Sequence, residues 1–347
     1  MRKIIFTGGG SGGHVVPALT LIDKISDKFK VYYIGGSGIE KELVTQKNIP
    51  FKTISTGKLR RYFSIQNMID LFKVGIGFIQ SFFYLLSFSK NTIVFSTGGF
   101  VSVPVVLAAF LTRKKIYIHE QTSRVGLANR ICSKFATKIF ISFKESEKYF
   151  PQSKTVFTGY PVRDECYEEH SNNIIIDELD ILKIKESKKI IFITGGGNGA
   201  KLLNDKVKEL LNELTPEYFI IHQVGKNFIE EYKPLKNQSY LPLPFLGKEM
   251  IDILKVSDVI ISRSGAGTVC ELLALGKPSI FIPLKIAQKN EQFHNAMEAK
   301  KRLNSIIIEE DDLSKELLLS AILEISKKEI VKVKKENIST LILNYVL

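Results

Sequence analysis

Short, uninterrupted apolar runs alternate along the chain with longer stretches whose apolar residues recur at helical spacing. In the first half the runs fall near residues 3–7, 31–35, 91–95, 115–119, 137–142 and 154–157, mostly Ile, Val, Phe and Tyr. In the second half they fall near 189–194, 218–223, 258–262, 279–282 and 305–308. Apolar strands of this kind, separated by helices, are the signature of parallel sheets buried on both faces. The pattern predicts an α/β protein made of two similar halves. Asp164 to Asp180, which follows Gly159-Tyr160-Pro161, is polar, acidic and aperiodic, and it places a domain boundary there. Lys327 to Leu347 mixes lysines with apolar residues at roughly helical spacing and predicts a final amphipathic helix.

Each half opens with a strand that stops in glycines and restarts as a helix. The first such turn is Gly8-Gly9-Gly10-Ser11-Gly12-Gly13-His14, with Pro17 expected to start the helix; the second is Gly195-Gly196-Gly197-Asn198-Gly199. Bare N–H groups at a helix N-terminus attract phosphate and other anions. Gly8, Gly10 and Gly13 satisfy GxGxxG, but the second strand runs Val31-Tyr32-Tyr33-Ile34-Gly35-Gly36 with no acid at its end. That speaks against a dinucleotide, whose ribose needs one. His14 is read as ending the turn, where the positive end of the helix dipole suits a neutral, proton-accepting ring; a merely structural histidine remains an alternative.

Further polar clusters follow other strands. Ser96-Thr97-Gly98-Gly99-Phe100-Val101-Ser102 and His119-Glu120-Gln121 belong to the first half. Ser262-Arg263-Ser264-Gly265-Ala266-Gly267-Thr268 belongs to the second, with Glu271 a turn into the next helix, as a ribose acceptor or as a first-turn charge. Gln288 to Ala296 is rich in amides, which supply the paired donors and acceptors that recognise sugar hydroxyls. Open α/β sheets bind ligands at the carboxyl ends of their strands.

At 347 residues, 44% hydrophobic and 24% charged, the chain is long enough for two domains with sizeable cores. Cys132, Cys166 and Cys270 are scattered, without metal-ligand spacing, so no metal site or disulfide framework is expected and a reducing compartment is. Met1-Arg2-Lys3 leads straight into a strand, without a signal-peptide pattern. A net charge of +13 favours anionic partners; with no nucleic-acid-binding motif, an acidic membrane surface or phosphorylated substrates fit best. Val74 to Phe88 is apolar but too short to span a bilayer. Phe78, Phe82, Phe83, Leu85 and Leu86 are read as one apolar side, flanked by Lys58, Arg60, Arg61, Lys73 and Lys90, with Arg113-Lys114-Lys115 beyond. This suits contact with anionic lipid, or else a core helix with solvated lysines.

The ordered set GGGSGGHVVPAL, STGGFVSVP, HEQTSRVGLANR, GYPVR, GGGNGAKLLN, SRSGAGTVCELLALGKPSIFIP and the amide-rich stretch resembles the MurG family of bacterial glycosyltransferases, from Thr7 to about Ala296. The resemblance implies a GT-B fold, two Rossmann-like domains with parallel sheets facing across a deep cleft. It divides the chain into an acceptor and membrane-docking domain (1–162), a donor domain (163–330) and a C-terminal helix (331–347) returning towards the first. It implies inverting transfer of N-acetylglucosamine from UDP-N-acetylglucosamine to the 4-hydroxyl of lipid I (undecaprenyl-pyrophosphoryl-muramyl-peptide), at the cytoplasmic face of the membrane, without a cofactor. No Asp-x-Asp pair occurs, so a metal is not implied for the chemistry.

By the same resemblance, Arg163, Gly196, Gly197, Asn198, Leu246, Ser264, Gly265, Thr268, Glu271, Gln292 and Asn295 would bind the donor, with the uracil against the backbone near Leu246. Ser11, Gly12, Gly13, Thr97, Gly98, Gly99, Gln121 and Asn129 would face the acceptor, and His14 would be the base. The chain departs from the family pattern at Gly197-Asn198 (usually Ser-Gln or Ser-Leu), at Glu291 (usually His or Asp) and at Thr122 (usually Asn). Transfer to another lipid acceptor, or a non-catalytic nucleotide-sugar-binding subunit, therefore remain alternatives.

Overall fold

The computed structural model describes residues 2–57, 65–287, 290–334 and 336–347. Lys58, Arg60, Arg61, Gln288 and Lys289, named above, lie outside the described residues. The chain forms two compact units, one of residues 1–162 with 337–347 and one of residues 163–336.

The first unit begins with β1 (Arg2–Gly8), α1 (Gly12–Asp23), β2 (Phe29–Gly35), α2 (Ile39–Thr45), β3 (Phe51–Thr53) and α3 (Ile65–Leu86). It continues with β4 (Ile93–Gly98), α4 (Ser102–Leu111), β5 (Lys115–Glu120), α5 (Leu127–Cys132), β6 (Lys138–Ile141) and β7 (Thr155–Phe157). The seven strands pair in the order β3-β2-β1-β4-β5-β6-β7, all parallel. Chain order reverses between β1 and β4, and that switch point opens a crevice at the strands' carboxyl ends.

The second unit carries a hairpin, β8 (Ile175–Ile176) with β9 (Leu179–Asp180), and α6 (Ile181–Lys185). Its sheet strands are β10 (Lys189–Thr194), β11 (Tyr218–Gln223), β12 (Tyr240–Leu243), β13 (Val259–Ser262), β14 (Ile280–Phe281) and β15 (Ile306–Ile307). The helices are α7 (Lys201–Leu214), α8 (Ile229–Tyr232), α9 (Met250–Val256), α10 (Ala266–Leu275), α11 (Glu291–Leu303) and α12 (Lys315–Ile325). The strand order β12-β11-β10-β13-β14-β15 puts the switch point between β10 and β13. Both units are thus Rossmann-like, and the central strands are dry: Ile4, Ile5, Phe6, Ile191, Phe192 and Ile193 have no exposed surface.

Two sheet strands and the hairpin escape the periodicity reading. Strands β3 and β12 are edge strands, where burial and pattern are weakest, and β12 contains Pro242, which an edge tolerates. The final helix, α13 (Ile338–Val346), is shorter than the pattern suggests. Upstream of it the Val331 N–H is bonded to the Gly276 carbonyl, and Ile342, Leu343 and Val346 join the core around Ile4, Phe6 and Phe140. Helix α1 begins at Gly12, so His14 lies inside its first turn and Pro17 lies within the helix rather than at its start. The extended backbone of Ser11 sets that boundary, and the His14 N–H closes back onto the Ser11 carbonyl.

Helix α3 is 22 residues long, and its apolar residues divide between two faces. Leu85 is fully buried, and Phe78 and Phe82 pack against the core, so they do not share one side with Phe83 and Leu86. Met68, Phe72, Ile76, Ile79, Phe83 and Leu86 form the outward stripe, at successive spacings of three or four residues. Lys73, Lys90, Arg113 and Lys115 are exposed, whereas Lys114 turns inward. Its ammonium donates to the Phe88 and Ser89 carbonyls at 2.6 and 2.9 Å, just past the end of α3, and burial lowers its pKa. Among the described residues no helix is long and apolar enough to cross a membrane.

Candidate functional site

In the first unit the turns after β1 and β4 meet backbone to backbone at the switch point. The Gly9 N–H donates to the Gly98 carbonyl at 3.3 Å. Gly99 has φ +82°, and a Cβ there would lie 2.2 Å from the Gly9 carbonyl oxygen, so only glycine lets the turns approach. Helix α1 has no side-chain cap at Ser11 and no acid in its first turn, which leaves Gly12 and Gly13 as bare N-terminal backbone. Below this surface Glu40, 1% exposed, accepts from the N–H groups of Gly10 at 3.1 Å and Gly36 at 3.0 Å. Its carboxylate acts as an internal anion that shapes the loop, a role its position in α2 does not reveal in the sequence. Glu40→Ala leaves two N–H groups unpaired and is expected to cost about 3 kcal/mol, read as a lower denaturation midpoint at unchanged m-value.

His14 is half-buried, and its Nδ1 lies 3.0 Å from the Thr97 carbonyl oxygen and 3.2 Å from Gln121 Oε1. Both partners can only accept, so Nδ1 carries a hydrogen. Thr97, Gln121 and Asn129 are buried. Asn129 donates to Glu120 Oε2 at 3.0 Å, and Glu120 Oε1 accepts from both the N–H and the hydroxyl of Thr122. These side chains build the wall behind the glycine turns, while Ser11, Gly12, Gly13 and Gly99 form its accessible face.

In the second unit the turns after β10 and β13 flank the switch point in the same way. Gly196 is half-buried, while Gly197 and Asn198 are exposed. Gly199 has φ +75°, and a Cβ there would lie 2.0 Å from the Val224 carbonyl oxygen. Gln223, at the end of β11, ties this turn to the next loop. Its Nε2 donates to Thr194 Oγ1 and the Gly196 carbonyl at 3.0 and 3.1 Å, and its Oε1 accepts the Leu246 N–H at 2.8 Å. The Leu246 N–H is therefore engaged within the fold. An amide closing the apolar run Tyr218 to Gln223 was the available sequence signal for this residue. Phe245 is 52% exposed, and its ring lies 3.9 Å from where a Gly197 Cβ would stand, an aromatic surface beside this turn.

Helix α10 starts at Ala266 after Gly265, with neither a side-chain cap nor an acid in its first turn. Glu271 lies beyond that turn, which removes the first-turn reading of its charge. Its Oε1 instead accepts from Arg163 Nε at 2.9 Å. Burial pushes the Glu271 carboxyl above the usual range, and Arg163 pulls against that shift. Asn295, 1% exposed, donates from Nδ2 to the Ser264 carbonyl at 3.2 Å. Among the described residues Asn295 Oδ1 and Ser264 Oγ have no hydrogen-bond partner. Gln292 accepts the Leu284 N–H at 3.0 Å through Oε1, and Thr268 is half-buried near the start of α10. The arrangement can hold a phosphate on bare helix N-termini and hydroxyls on Glu271, Asn295 and Gln292.

Residues 4–141 match the glycosyltransferase family 28 N-terminal domain, and residues 190–341 match the glycosyltransferase family 28 C-terminal domain. A Clostridium perfringens protein named UDP-N-acetylglucosamine–N-acetylmuramyl-(pentapeptide) pyrophosphoryl-undecaprenol N-acetylglucosamine transferase is 42% identical over 329 residues, 94% of this chain and 90% of the relative. A Bacillus cereus protein of the same name, numbered 2, is 38% identical over 330 residues, 94% of this chain and 92% of the relative. Among solved structures, Acinetobacter baumannii MurG matches the fold with a TM-score of 0.72 at 23% identity, covering 100% of this chain and 99% of that one.

Proposed function

The chain belongs to glycosyltransferase family 28, and from that premise we propose that it transfers N-acetylglucosamine from UDP-N-acetylglucosamine to the 4-hydroxyl of the muramyl sugar of lipid I. Kinship along 94% of the chain with relatives bearing that activity's name carries the proposal. The second unit takes the donor: the Gly196, Gly197 and Asn198 turn and the start of α10 face its diphosphate, and Glu271, held by Arg163, takes the ribose hydroxyls. Gln292 and Asn295 face the sugar, and the uracil lies by Leu246 and Phe245. The first unit takes the acceptor on Ser11, Gly12, Gly13 and Gly99; Gly98, buried and bonded to Gly9, lies behind them.

In the transfer, the acceptor oxygen attacks the anomeric carbon from the face opposite the diphosphate. Its proton passes to His14 Nε2, the new C–O bond forms, and the bond to the phosphate oxygen breaks with its electron pair leaving on UDP. Helix N-termini meet the charge that develops on the diphosphate. Transfer of radiolabel from UDP-N-acetylglucosamine to a lipid I analogue, with product analysis, tests the assignment; purified protein that labels diacylglycerol instead would overturn it.

The outward stripe of α3, together with the exposed Lys73, Lys90, Arg113 and Lys115, is proposed to rest on anionic lipid at the cytoplasmic face of the bacterial membrane. Phe72 and Phe83 are 72% and 67% exposed and carry most of its aromatic area. Joint replacement, Phe72→Ser with Phe83→Ser, is expected to weaken binding to phosphatidylglycerol vesicles about tenfold, with UDP affinity unchanged. Equal vesicle binding by the double variant would remove α3 from the docking surface.

A further inference from the structure

Gln121 and His119 are buried, at 1% and 0% exposure, too deep to recognise a substrate directly, yet they connect to the ring that the reaction uses. His119 Nε2 lies 3.2 Å from the Gly159 carbonyl oxygen, which can only accept, so the hydrogen of His119 sits on Nε2. Its Nδ1 therefore offers a lone pair, and Gln121 Nε2 lies 3.2 Å from it. The same amide nitrogen donates to the His119 carbonyl at 3.0 Å, so both hydrogens of the amide are used. With the nitrogen fixed, the Gln121 oxygen has one orientation, towards His14 Nδ1 at 3.2 Å. Burial pushes the His119 imidazole down to about 4, so the ring stays neutral and its single hydrogen stays committed to Gly159. Gly159 is itself packed against Ile338 of the terminal helix, which anchors the far end of the chain of bonds.

We propose that His119 and Gln121 are positioning residues that lock His14 in the tautomer with hydrogen on Nδ1 and the lone pair on Nε2. The lock rests on the reading of His14 as base. Gln121 cannot turn its NH2 towards His14 without facing the His119 carbonyl and the His119 lone pair with its own oxygen. The Thr97 carbonyl adds a second acceptor to the same hydrogen. When His14 takes the acceptor's proton, the resulting imidazolium finds Nδ1 already placed between two oxygens, so no group needs to reorganise during transfer.

Nitrogen-15 spectra of histidine-labelled protein read the tautomers directly, since the chain has five histidines. The wild type is expected to show hydrogen on His14 Nδ1, and His119 neutral with hydrogen on Nε2. Gln121→Leu preserves the bulk and removes the acceptor. It is expected to lower kcat about tenfold, leave both KM values and UDP affinity within twofold, and mix the His14 tautomers. Gln121→Asn, which keeps an amide, is expected to recover part of kcat. Hydrogen on His14 Nε2 in the wild type, or Gln121→Leu with unchanged kcat and spectrum, would overturn the proposal. If the spectra are as expected but His14→Asn turns over normally, the tautomer assignment stands while the base reading, and with it the catalytic part of the lock, fails.

Discussion

His14→Ala is expected to lower kcat about a thousandfold, in the middle of the range for losing a positioned general base. UDP-N-acetylglucosamine affinity should stay within twofold, because the donor groups proposed above all belong to residues 163–336. The fold should also survive, since the ring is half-buried and the glycine turns meet through backbone contacts that do not involve it. Steady-state kinetics on a lipid I analogue, with UDP titration alongside, separates the two effects. A kcat within tenfold of wild type would assign proton removal to another group.

The second large effect lies in the donor unit. Arg163→Met removes the guanidinium that pairs with a carboxylate burial already disfavours. Breaking a buried ion pair costs about 3–5 kcal/mol, but the Arg163 side chain keeps 30% of its surface exposed, so about 2 kcal/mol is the better expectation. The Glu271 carboxyl should then titrate still higher, because burial acts on it unopposed. Below that raised pKa it protonates and loses the ionised form proposed to accept the ribose hydroxyls. The KM for UDP-N-acetylglucosamine should therefore rise about tenfold, with the defect largest at the acidic end of the assay range. Arg163→Lys should recover part of the affinity, because an ammonium restores the charge without the Nε geometry. A donor KM equal to wild type at all pH values would detach the pair from donor binding.

Much of the fold was legible because its strands are uninterrupted apolar runs between amphipathic helices. The strands that escaped were β3 and β12, edge elements where one neighbour is missing and burial imposes less pattern. The site was legible through glycines and hydroxyls at strand ends, since bare backbone has few other reasons to recur there. Its supporting layer was not. Glu40 reaches the Gly10 N–H 30 residues away and Gln223 the Leu246 N–H 23 residues away, and even the amide that closes the Tyr218 run does not name so distant a partner. The outward stripe of α3 also had to be seen in place, because the aromatic residues that pack inward and those that face out are interleaved in one apolar sequence.

The amino-acid sequence by itself determined the two-fold α/β plan, the phosphate-type glycine turns, the basic character and, through its ordered motifs, the kinship with the transferases. These properties reside in local patterns of side-chain size, charge and backbone freedom, which survive without long-range contacts. Tertiary structure alone decided which of those groups face a ligand and which hold the others in place. Parallel pairing brings β1 beside β4 and β10 beside β13, and so joins turns about 90 and 70 residues apart into single surfaces. The same pairing buries Gln121 and His119 behind His14, where water cannot compete for their hydrogens. A histidine near a glycine turn becomes a ring with one defined lone pair only in that setting.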